Sequence, residues 1–96
     1  MNLDTFNQYA TEVSRTLGCD TEDIFTRTKK RHLVDARQIL FYIANQNDMS
    51  IVYIQKFMKE NGMYMEHSTI IHGINRITDM IPRNKQMKRL VECIAL

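Results

Sequence analysis

Glu66-His67-Ser68-Thr69 sets a carboxylate, an imidazole and two hydroxyls side by side, with His72 a little over one helical turn further on. Three kinds of chemistry use such groups: metal binding, catalysis and recognition of a nucleic-acid base edge. Metal binding fits poorly. His67 and His72 are five apart, whereas ligands on one helical face stand three or four apart, and no Cys or third His is near. Catalysis fits no better. The acids are scattered, no Ser or Cys has a nucleophile motif around it, and no Gly-rich phosphate loop is visible. The expectation is a non-enzyme with no cofactor and no metal. Base recognition suits the residue types: a carboxylate accepts from the cytosine amino group, His contacts a base edge or phosphate, and Thr offers a methyl to thymine. A plainer reading stands beside it, in which Ser68 or Thr69 only caps a helix and the His residues are exposed by accident.

A second cluster supports the recognition reading. Arg27, Lys29, Lys30 and Arg31 fall within five residues, and Arg37 and Gln38 follow on what reads as the exposed face of the next helix. Basic loops neutralise phosphates or reach into A·T-rich minor grooves, where negative potential is concentrated. The alternative is a solvated charge run. Charge is divided unevenly along the chain. Residues 1–25 hold five acids and one base, whereas residues 26–96 hold twelve bases and six acids. A basic working surface facing a polyanion follows from that division.

The elements that must position these groups are helical. Leu3, Phe6, Ala10, Val13 and Leu17 recur at helical spacing, so a helix over about 4–17 is expected, stopped by Gly18. Asp20 heads a short helical turn through Phe25. Residues 26–32 have no apolar period and read as a basic loop. Leu33, Ala36, Leu40, Ile43 and Ala44 mark a helix over about 33–46, and Ser50 caps another with Ile51, Ile54 and Met58 inward. Asn61-Gly62 breaks it. Ile70, Ile74, Ile77 and Ile81 then face inward on a helix beginning near His67, with Thr69, His72, Gly73 and Arg76 outward, and Pro82 stops it. Met87, Leu90, Val91 and Ile94 line a last short helix. The expectation is one all-α domain over 1–96: a compact bundle of five to six helices, with an N-terminal helix in 1–18, a helix-turn-helix in 50–81 and a C-terminal helix in 83–96.

Bulk composition agrees. With 96 residues, 44% of them hydrophobic and 25% charged, the chain has room for one modest core and is not of disordered composition. One Pro and three Gly leave few chain breaks for a many-stranded fold. No apolar run is long enough to cross a bilayer and no signal segment opens the chain. A soluble cytoplasmic protein, associated with the nucleoid, is expected. Cys19 and Cys93 read as buried free thiols, and the Met residues as core filler.

Three blocks together are similar to the C-terminal DNA-binding domain of the bacterial replication initiator family, DnaA. The first is Asp23-Ile24-Phe25 followed by Lys29-Lys30-Arg31-His32-Leu33-Val34-Asp35-Ala36-Arg37-Gln38-Ile39, which resembles the family's basic loop and A-R-Q helix. The second is Ser50-Ile51-Val52-Tyr53-Ile54, in place of S-L-P-x-I. The third is Glu66-His67-Ser68-Thr69-Ile70-Ile71-His72, resembling D-H-[ST]-T-V-x-H. The resemblance implies a helix-turn-helix that reads a short, asymmetric, A·T-rich duplex box. It implies Lys29 in the minor groove, Arg37 and Gln38 on backbone and base, Glu66, His67, Ser68 and Thr69 at recognition positions, and Arg76 on a phosphate.

Departures bear on what is read. The family's tight G-G-x-D-H turn gives way to Asn61-Gly62-Met63-Tyr64-Met65-Glu66-His67, about four residues longer from Ser50 to His67. Met63, Tyr64 and Met65 are expected to pack back onto the domain. Lys29 for Arg loses the planar fork, and Glu66 for Asp adds a methylene. The family's ATPase module is not within these 96 residues, and the Met start leads to the expectation of a complete small protein. Such a protein, phage-encoded for instance, would regulate replication or transcription without remodelling DNA. The rival reading is an interaction module that keeps the fold, docks on a host replication or transcription protein, or dimerises through Leu3, Phe6 and Val13.

Overall fold

A computed structural model describes residues 2–94 and consists of six α-helices: α1 (Leu3–Leu17), α2 (Thr21–Ile24), α3 (Arg31–Gln46), α4 (Ile51–Glu60), α5 (His67–Met80) and α6 (Lys85–Cys93). Among the described residues there is no strand. The all-α expectation holds. The last two positions of the expected C-terminal helix, 95–96, lie outside the described residues.

Three helix starts, those of α1, α4 and α6, have a side-chain cap. The Asn2 side chain accepts from the Thr5 amide at 2.8 Å, the Ser50 hydroxyl from Tyr53 at 3.4 Å, and Asn84 from Met87 at 2.9 Å, satisfying amides that lack an intrahelical partner. Helix ends are closed in a common way. The Met63 amide reaches back to the Met58 carbonyl at 2.9 Å and the Gly62 amide to Lys59 at 2.9 Å, with Gly62 at φ 90. That is a Schellman closure, in which the left-handed residue turns the chain and an apolar pair covers it. Met49 returns to Ala44 in the same way, but there the left-handed position is held by Asp48 at φ 66, a residue type that tolerates it.

The core gathers one stripe from every helix: Phe6, Ala10 and Val13; Ile24; Ile39, Leu40 and Phe41; Ile54 and Met58; Ile70 and Ile77; and Met87. α3 is the central element and packs most extensively on α5, with α1 on its other side. Gly73 lets α3 and α5 approach closely, because a Cβ there would meet Gln38 Cγ at 3.0 Å and Phe41 Cδ2 at 3.3 Å. The expectation that Gly73 faces outward is therefore corrected. It closes the helix–helix contact.

Four other expectations are revised. The basic loop is shorter than 26–32, since Arg31 and His32 already form the first turn of α3. Phe6 and Val13 are fully buried beneath α1 and offer no surface through which to dimerise. Cys93 is exposed and Cys19 is half-buried. Finally, Arg37 is 5% exposed rather than on an open helix face. Met63 is buried as expected and Met65 partly so, but Tyr64 stands 46% exposed.

Candidate nucleic-acid interface

Two stretches of chain far apart in sequence meet beside the start of α5, and a third contact lies further along that helix. The first is the connection 61–66 between α4 and α5. Its path is fixed by Met63 in the core, by Gln55 Nε2 donating to the Met65 carbonyl at 2.9 Å, and by Asn61 Nδ2 donating to Asn7 Oδ1 at 2.9 Å on α1. Glu66 takes the N-cap position of α5 without bonding the helix through its side chain. The plainer alternative, in which Ser68 or Thr69 caps the helix, is not observed. The carboxylate of Glu66 and the side chains of His67, Ser68, Thr69 and His72 are all exposed on the first turns of this helix.

The second stretch is the basic loop, Phe25–Lys30. Arg27 Nη2 donates to the carbonyl of Tyr64 at 2.9 Å, joining this loop to the connection before α5. Beside that bond, Arg27, Thr28 and Lys29 face Met63 and Met65 across a shallow cavity of about 360 Å³, with Arg37 at its floor. Lys29 and Lys30 are exposed, and the Lys30 amide donates to the Thr28 hydroxyl at 3.2 Å, which turns the chain into α3.

Arg37 explains why the loop holds this path. Its Nε donates to the Ile24 carbonyl at 3.0 Å and its Nη2 to the Thr26 carbonyl at 2.7 Å. Burial, and secondarily the like charge of Arg27, pushes its pKa below the ordinary arginine value. The guanidinium remains protonated all the same. Two carbonyls at the head of the loop are thus tied to α3 by one planar fork. The expected backbone contact from Arg37 is replaced by an internal, loop-positioning role.

The third stretch is the α3–α5 seam. Arg76 Nη1 donates to Asp35 Oδ1 at 2.7 Å and to Gln38 Oε1 at 2.5 Å. Arg31 Nη1 lies 3.8 Å from the same Asp35 oxygen. Asp35 thereby gathers two arginines from different helices, a role that sequence reasoning missed. The Arg31–Asp35 spacing of four residues on α3 is the signal that was available. Arg76 and Gln38 are half-buried and bonded to each other, so neither is the free side chain that was expected. Among the described residues no group of three or more His, Cys, Asp or Glu is placed to hold a metal. No helix among them is long and apolar enough to cross a membrane.

Of the twelve candidates, the structure ties Arg27 to the connection that leads into Glu66, His67, Ser68, Thr69 and His72, sets Lys29 beside it, leaves Lys30 exposed, places Arg31 by Asp35, withdraws Arg37 into the interior, and ties Arg76 to Gln38. Comparison with known proteins identifies the family. The profile of the bacterial dnaA protein helix-turn-helix matches residues 10–77. Curated relatives include the chromosomal replication initiator protein DnaA of Streptococcus pyogenes, 27% identical over 94 residues, covering 98% of this chain and 20% of that protein. The corresponding protein of Herpetosiphon aurantiacus is 31% identical over 78 residues, covering 80% of this chain and 16% of that protein. That of Flavobacterium psychrophilum is 28% identical over 78 residues. The chain thus spans a fifth or less of the length of these relatives. With more than half of its residues in the profile match and the helices in place, the chain belongs to the bacterial DnaA helix-turn-helix family.

Proposed function

We propose that residues 1–96 act as one unit that binds double-stranded DNA, with the first turn of α5 in the major groove and the loop Phe25–Lys30 on the adjacent backbone and minor groove. One observation carries the reading. The Arg27–Tyr64 bond fastens a cationic loop beside a helix start whose Glu66, His67, Ser68 and Thr69 side chains are left exposed. Phosphate contacts position such a unit and base contacts specify its site. Lys29, Lys30 and Arg31 supply the first, with Lys29 nearest the minor groove. Glu66 and Thr69 supply the second, toward a cytosine amino group and a thymine methyl. His67, Ser68 and His72 flank them. Arg37, Gln38 and Arg76 act as positioning residues, holding the loop to α3 and α3 to α5.

The same proposal takes a short A·T-rich box as the target and control of replication initiation or transcription as the process, at the nucleoid of a bacterial cell; the relatives' name supports the initiation arm. Titrating fluorescent A·T-rich and scrambled duplexes at several salt concentrations tests the reading. Binding whose logarithm falls linearly with the logarithm of salt, and which is tighter for some sequences than others, is the expected result. Absence of salt-dependent binding to every duplex would remove it.

A further inference from the structure

Of the cations outside the basic loop and the α3–α5 seam, four gather in a second place, apart from Arg15 on α1 and Lys56 and Lys59 on α4. Arg83, in the turn after α5, and Lys85, Lys88 and Arg89 of α6 are all exposed. Positions 85, 88 and 89 share one stripe of the helix, opposite the buried Met87 and the partly buried Val91 that seat α6 on the domain. Two ordinary explanations for such a stripe fail. Helix stability is not one, because the first turn of α6 starts with Lys85 and contains no acid, and the positive end of the helix dipole disfavours cations there. Internal neutralisation is not one either. α6 packs on α1, the helix of Asp4 and Glu12, and follows the end of α5 with Asp79. Yet among the described residues none of the four bases forms an ion pair, and Glu12 pairs with Arg15 instead. Within α6 itself Glu92 shares the stripe, one acid against the three bases Lys85, Lys88 and Arg89.

We propose that this stripe binds the sugar–phosphate backbone of a second duplex while the first turn of α5 holds the first. The inference rests on the reading that α5 is the duplex-reading helix. α5 has 14 residues, so about 21 Å separates its recognition end from the turn that starts α6. In the proposed pose α5 enters the groove by its N-terminal end and its C-terminal end points away from that duplex. The α6 stripe is therefore directed to other DNA, and its contacts, made by Lys and Arg alone, carry no sequence information.

The test uses the full chain. One short A·T-rich duplex is immobilised and loaded with protein, and capture of a second, labelled duplex of unrelated sequence is measured as salt is raised. Wild-type protein is expected to capture it. The triple variant Lys85→Gln, Lys88→Gln, Arg89→Gln is expected to lower capture at least about tenfold, with affinity for a single short duplex altered less than about threefold. All three side chains are exposed, and an unchanged thermal melt confirms that the variant is folded. Binding of one duplex without capture of another overturns the second contact but leaves the proposed function standing. Equal capture by the variant, or equal loss of single-duplex affinity and capture, also overturns it. Failure to bind any duplex overturns both.

Discussion

Arg27 and Tyr64, 37 residues apart, are joined by a single hydrogen bond from guanidinium to main-chain carbonyl at 2.9 Å. It is the direct bond between the basic loop and the connection that leads into α5. Arg27→Met removes it. Because the bond is exposed, the loss of stability is small, below about 1 kcal/mol. Hydrogen exchange in residues 62–66 should nevertheless accelerate, and duplex affinity should fall. Arg27→Lys restores the charge without the fork, so the salt dependence recovers while the exchange does not. Unchanged exchange in Arg27→Met would show that the bond couples nothing.

Arg37 is the costlier site. Arg37→Met leaves the carbonyls of Ile24 and Thr26 without their donor, at a cost of about 2–4 kcal/mol in urea unfolding. Arg37→Lys recovers only part of it, since an ammonium cannot span two carbonyls with a planar fork. Wild-type stability in Arg37→Met would contradict the pinning role.

Gly73 reports on the α3–α5 contact. In Gly73→Ala the helix-propensity gain of about 1 kcal/mol offsets crowding against Gln38 and Phe41, so the melting temperature moves little. Gly73→Leu overfills the same gap and destabilises by roughly 1–3 kcal/mol. A stabilised Gly73→Leu protein would mean that the helices part easily.

Base and phosphate contacts separate by their specificity. Thr69→Ala and Glu66→Gln should each narrow the difference between preferred and substituted duplexes by roughly 1–3 kcal/mol at one base pair. Lys30→Ala should weaken all duplexes alike and reduce the salt slope by about 0.9. Competition titrations with single-base-pair substitutions distinguish the two patterns. Specificity loss from Lys30→Ala would exchange the assignments.

The two cysteines should differ in reactivity. Burial raises the Cys19 pKa, and the charges of Asp23 and Asp20 raise it further. A raised pKa means less thiolate at any given pH, so Cys19 alkylates slowly near neutrality and faster only as pH climbs. Cys93 is exposed and should be modified first. Mass spectrometry after limited iodoacetamide treatment checks the order.

The helices were legible in the sequence because their signals are local. Apolar spacing marked α1, α3, α4 and α5, and Ser50 and Gly62 marked ends. Arg37 was misread because a guanidinium on a helix ordinarily points to solvent. Nothing local announces that two carbonyls, 13 and 11 residues earlier, wait beneath it. Gly73 was misassigned for a related reason. Its face is set by how closely α3 approaches, which is a tertiary fact. Glu66 through Thr69 were singled out as candidates by residue type and order. Their proximity to Arg27 required the fold.

The six residues between α4 and α5 have one further consequence. Both ends of the segment are anchored: Asn61 is tied to α1, Met63 is sunk in the core, and the Tyr64 and Met65 carbonyls are held by Arg27 and Gln55. The Tyr64 ring is left outside these anchors. Changes at this position alter what the domain meets without altering how it folds, so target preference can diverge here under little constraint from stability.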